Sequence, residues 1–138
     1  MIWPWPAENA VLGLFMRVLK SAALVCAWIG LAYLVWVSVM PIGSRPHLFD
    51  GIPDISRFLG WFVITSAFAI AYPRRLGRVL LAMSVAIVML EAAQYLEVTR
   101  HGRIHDAAIK VAGAAVAVAL ALAYLAVARK RALVQERS

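Results

Sequence analysis

VLLAMSVAIVMLEAAQYLEVTRHGRIHDAAIK, residues 79–110, is the stretch whose reading decides the fold. Its first eighteen residues contain one charged side chain, Glu91, in a run otherwise fit for a membrane interior. A second apolar run, 109–128, begins just beyond it, and Lys110 stands at that boundary. A helix needs about 20 mostly apolar residues to cross a hydrocarbon layer of roughly 30 Å. Two such runs joined by a short polar connector therefore predict a pair of membrane helices.

Working outward, two more runs of the same kind occupy 21–40 and 55–72. The second and third runs are near the short end of the spanning range, so flanking polar residues are expected to complete them. Hydrophobic residues make up 64% of the 138, and the mean hydropathy of +0.82 lies far above that of soluble domains. The predicted fold class is all-α, an integral membrane four-helix bundle. Its expected layout is an interfacial N-terminal segment over 1–20, the membrane domain over 21–128 and a charged, fraying tail over 129–138.

The N-terminal segment opens W-P-W-P, which suits the headgroup layer. The apolar run after Arg17 and Lys20 is too long for the core of a cleavable signal, so it is read as the first membrane helix. The formal charge of +7 reflects topology, because the basic residues cluster at the ends of apolar runs rather than along one polar face. Nucleic acid is excluded as a partner on that ground. One face receives nine Lys and Arg, at 17, 20, 74, 75, 78, 129, 130, 131 and 137; the other receives five, at 45, 57, 100, 103 and 110. The positive-inside rule then places both termini in the cytoplasm and the first and third connectors outside. Cys26 is the single cysteine, so neither an intrachain disulfide nor a cysteine metal site can form.

The chemistry-bearing residues gather at the outer face. Glu91 lies within the third run with Gln94 three residues on, on the same helical face. A carboxylate in lipid faces the bundle interior and requires a partner. Two readings are open: an interhelical structural contact, or the floor of an outward polar cleft. Asp106 and Lys110 are spaced i, i+4 with the acid first, the favourable order for a salt bridge along the fourth helix. Arg100 and Arg103 bring planar forks that match phosphate oxygens and suggest a surplus of positive charge there, although snorkelling to lipid phosphates is an equal alternative. Asp54 and Arg57 open the second helix, where they either cap its first turn or face the third connector. Thr65 and Ser66 are expected to bond to their own or a neighbouring helix, and Gly60 to permit close approach. Gly113 and Ala117 form a small face suited to packing against another helix. His101 and His105 have only Asp106 as an evident third ligand, so no metal is expected; no cofactor motif is present either.

These residues resemble the VanZ-like family of small bacterial membrane proteins. The resemblance rests on E-x-x-Q in the third run (Glu91, Gln94), R-H-x-R-x-x-D in the connector (Arg100, His101, Arg103, Asp106) and Gly113 seven residues later. Ser38 and Pro41 are similar to the S-x-x-P that ends the family's first helix, so the likeness covers roughly 38–117. Two positions depart from the pattern: Arg57 stands where many members have histidine, and Lys110 where they have asparagine. The resemblance implies a multi-pass protein of the bacterial plasma membrane. The family's link to glycopeptide resistance travels with its name and does not extend to this chain on that basis.

Three functional readings compete. The first is an envelope protein that binds an anionic, phosphate-bearing lipid or glycopolymer in an outward cleft through Glu91, Gln94, Arg100, Arg103, Asp106, Lys110, Arg57 and Asp54. The second is a transferase or hydrolase acting on a lipid-linked phosphate, with Glu91 or Asp106 as acid or base. The third is a scaffold that joins a membrane-protein partner, or a second copy, through the small face of the fourth helix. In a background lacking Cys26, Gly43→Cys and Gly102→Cys are predicted to label from outside with a membrane-impermeant thiol reagent, and Gly77→Cys is not. Labelling at position 77 alone would invert the topology.

Overall fold

A computed structural model describes residues 7–39, 53–95 and 104–135, and every regular element in them is an α-helix. The elements are α1 (Ala7–Val39), α2 (Pro53–Ala71), α3 (Leu76–Tyr95) and α4 (Ile104–Gln135). All four are long and apolar enough to cross a membrane.

The two middle helices match the apolar runs 55–72 and 79–96 to within three residues, and prolines bound the first of them. Pro53 occupies the first helical position of α2, where its missing N–H costs nothing, and Asp54 follows in the first turn, favourably placed for the helix dipole. At the other end Pro73 stops the helix, and Tyr72–Arg75 form a tight turn in which the Arg75 amide donates to the Tyr72 carbonyl at 3.0 Å. The outer helices overrun their apolar runs. α1 passes through Lys20 unbroken, and α4 begins before Lys110 and continues through Arg129, Lys130 and Arg131 to Gln135. Hydropathy marks where a helix crosses lipid, not where it ends, and no proline interrupts these polar flanks. The 129–135 part of the expected fraying tail is thus helical.

Neighbouring helices run antiparallel, but the most extensive interface joins the parallel pair α2 and α4. Its cause is Gly113, where an added Cβ would strike the carbonyl oxygen of Phe58 and come within 3.3 Å of the Phe62 amide nitrogen. Ala114 and Ala117 are buried beside it. The small face of α4 is therefore occupied by α2 of the same chain. A scaffold role through that face would require this contact to part.

Helix α1 packs chiefly on α2, with smaller contact to α3. An added Cβ at Gly30 would lie 3.1 Å from Ile64, and one at Gly60 would lie 3.3 Å from Leu34, a reciprocal fit that bears out the close approach expected at Gly60. Trp28 meets Phe68 edge to face at 5.4 Å. The core between the helices holds Ala27, Trp61, Ile64, Phe68, Val79, Met83, Ile87 and Ala114. Thr65 is fully buried, yet its hydroxyl has no hydrogen-bond partner among the described residues, contrary to the expectation of a bond to its own or a neighbouring helix.

Outside the core, Val63, Leu81, Val88, Met89, Leu120 and Leu122 are all more than half exposed. Lipid is the medium in which such a surface is stable. Because lipid tails are as apolar as the side chains, helix association there depends on close packing and polar contacts rather than on expulsion of water. Gly113→Ala should accordingly cost about 1–3 kcal/mol, the range for overpacking a filled contact. Gly77, with nothing near its Cβ position, should accept alanine with a gain of about 0.5–1 kcal/mol. Unfolding of both variants in detergent checks the contrast, and equal effects would show that the α2–α4 contact is not tight.

Candidate functional site

The beginnings of α2 and α4 and the end of α3 meet at one end of the bundle, which gathers charge that the sequence distributes over three segments. Arg57 donates through NH1 to Oδ1 of Asp54 at 2.8 Å, one turn earlier on α2. The same nitrogen lies 3.3 Å from Oδ1 of Asp106 on α4. Arg57 thus pairs within its own first turn and reaches the first turn of α4, while the third connector lies outside the described residues. His105 Nε2 completes the outer layer at 3.3 Å from Asp54 Oδ2.

One turn deeper along α4, Lys110 pairs with Glu91 of α3 through Nζ and Oε1. This replaces the predicted Asp106–Lys110 bridge. The physical reason is depth. Glu91 lies four residues before the end of α3 and Lys110 six residues after the start of α4, roughly 6 and 9 Å below the connector. An antiparallel hairpin brings such positions together. Asp106, nearer the surface, is left to the longer, water-tolerant Arg57.

Side-chain exposure falls from 46% at Asp54 and 31% at Arg57 to 18% at Asp106, then to 8% at both Lys110 and Glu91. The charges thus alternate in sign from rim to interior. Glu91 Oε2 is buried without a hydrogen-bond partner among the described residues. A half-satisfied buried carboxylate is the least comfortable polar group in the site, and its pairing with Lys110 offsets a large desolvation cost.

Of the predicted site residues, the structure brings together Asp54, Arg57, Glu91, Asp106 and Lys110. Arg100, His101 and Arg103 lie outside the described residues, as does the side chain of Gln94. The described members of the expected site are three carboxylates, Asp54, Glu91 and Asp106, and two fixed cations, Arg57 and Lys110. In the sequence, the two connectors and the helix ends that flank them contain five basic residues (Arg45, Arg57, Arg100, Arg103, Lys110) and five acidic ones (Asp50, Asp54, Glu91, Glu97, Asp106). Sequence reasoning missed the Glu91–Lys110 pair, although their near-equal distance from the connector was a readable signal.

Against known proteins, the chain matches no family profile, no curated sequence and no solved structure. The geometry makes its own prediction. Lys110→Met strands Glu91 and should cost about 3–5 kcal/mol, whereas Glu91→Leu with Lys110→Met removes both charges and should cost far less. A double-mutant cycle by unfolding in detergent measures the difference, and additive losses would mean the pair is uncoupled.

Proposed function

We propose that this chain is a VanZ-like protein of the bacterial plasma membrane that binds the phosphate group of a lipid or glycopolymer at its charged end, with both termini in the cytoplasm. The observation that carries this reading is Arg57. Among the described residues its guanidinium contacts Asp54 and Asp106 through NH1 alone, which leaves Nε and NH2 of a five-donor fork for a ligand. Side-chain exposure of about one third puts that fork within a headgroup's reach. Two planar phosphate oxygens are the partner such a fork suits best. Arg103 precedes α4 by one residue, and Arg100 stands three residues before that, so the connector can add further donors.

The carboxylates support binding over catalysis. A general acid or base must be free to exchange a proton with its substrate, and Asp106 and Glu91 each already have a cation as partner. Either would have to leave that partner to act.

Native mass spectrometry of the detergent-purified chain tests the proposal. The chain should retain a phosphate-bearing lipid well above its share of the membrane. Arg57→Gln should weaken retention about tenfold or more, the effect of losing one charge-assisted hydrogen bond; Arg103→Ala should weaken it too. A wild-type chain that carries phospholipid only in bulk proportion would end the proposal.

A further inference from the structure

We infer that the headgroup taken at this end is zwitterionic, a phosphate joined to an ammonium, rather than purely anionic. The inference rests on the phosphate-binding reading above and goes beyond it by naming the second half of the ligand. Its first ground is local charge. The described cluster sets three carboxylates, Asp54, Asp106 and Glu91, against two fixed cations, Arg57 and Lys110. Lys110 is committed to Glu91 in the interior, so among the described residues Arg57 is the exposed fixed cation of the cluster, and two carboxylates lie within 2.8 and 3.3 Å of one of its nitrogens.

Among the described residues, a phosphate approaching the rest of that fork meets one positive charge backed by two negative ones. An anion with nothing else to offer gains little from such a site. If the ligand also carries an ammonium a few ångströms from its phosphate, Asp54 becomes an attractive partner instead of a repulsive neighbour. Asp54 is suited to this role because it is the most exposed carboxylate of the cluster, at 46%. An ammonium there supplies N–H donors to a carboxylate that already bridges Arg57 and His105.

The second ground is the balance of the whole end, five basic residues against five acidic ones. The third is Oε2 of Glu91 beneath the cluster, an acceptor with no hydrogen-bond partner among the described residues. A lipid is the source of the headgroup because the rim beside the cluster is apolar: Ile104 is 83% and Ile55 47% exposed, next in sequence to His105 and Asp54.

Short-chain phospholipids that differ only in headgroup provide the test, titrated onto the full chain in detergent and read by native mass spectrometry. The ethanolamine lipid should bind about tenfold more tightly than the glycerol lipid. Asp54→Asn should abolish that preference, Asp54→Glu should restore it, and Arg57→Gln should weaken both lipids. Equal or tighter binding of the glycerol lipid with Arg57 dependence intact would overturn this inference and leave phosphate binding standing. A preference for ethanolamine that survives Asp54→Asn would overturn it as well. Loss of binding to every phospholipid, or binding indifferent to Arg57→Gln, would remove the proposed function itself.

Discussion

The arrangement depends on where Lys110 finds its partner. A single ammonium on the second turn of α4 has two carboxylates within reach in principle: Asp106 one turn above, and Glu91 across the hairpin. Only Glu91 lies deep enough to be ruinous if left alone, and it takes the lysine. Asp106 then turns to Arg57 on α2. Two residues one turn apart on α4 therefore tie down two different helices, α3 through Lys110 and α2 through Asp106. This matters because α2 and α3 touch each other only modestly despite being joined by a tight turn. The fourth helix holds the bundle together at its charged end, and Gly113, just below, lets it lie against α2 closely enough to do so.

The bundle is correspondingly two-ended. Arg17, Lys20, Arg74, Arg75, Arg78, Arg129, Lys130 and Arg131 mark one end, on long side chains suited to lipid phosphates. At the other, opposite charges are interleaved and partly buried. The first pattern needs no fixed geometry. The second depends on fixed geometry, and the three-helix junction supplies it.

Much of the fold was legible because lipid imposes simple rules. Apolar length predicted four helices, and prolines 53 and 73 bounded α2. The helix overruns at Lys20 and beyond Ala128 were hidden, since charged residues compatible with a helix end an apolar run without ending the helix. At the site, composition pointed to Glu91, Asp54, Arg57, Asp106 and Lys110, but pairing was misread. The i, i+4 rule favours Asp106–Lys110 on an isolated helix, where both groups see water and the gain is a few tenths of a kcal/mol. Burial raises the stakes by an order of magnitude and hands the lysine to the deeper acid. Likewise the small face of α4 was visible as a stripe, and only packing could reveal that α2 of the same chain fills it.

Arg57 and Lys110, which stand where the VanZ-like family that the sequence resembles commonly has histidine and asparagine, are the two cations that answer Asp106 and Glu91. Together they convert both carboxylates from candidates for proton exchange into members of ion pairs, one at the rim and one in the interior. Such a change strengthens the joint between α2, α3 and α4 and removes the freedom that acid–base work requires. It leaves intact what a binding site needs: an exposed fork at Arg57, a half-exposed acceptor at Asp54, and a rigid floor beneath them.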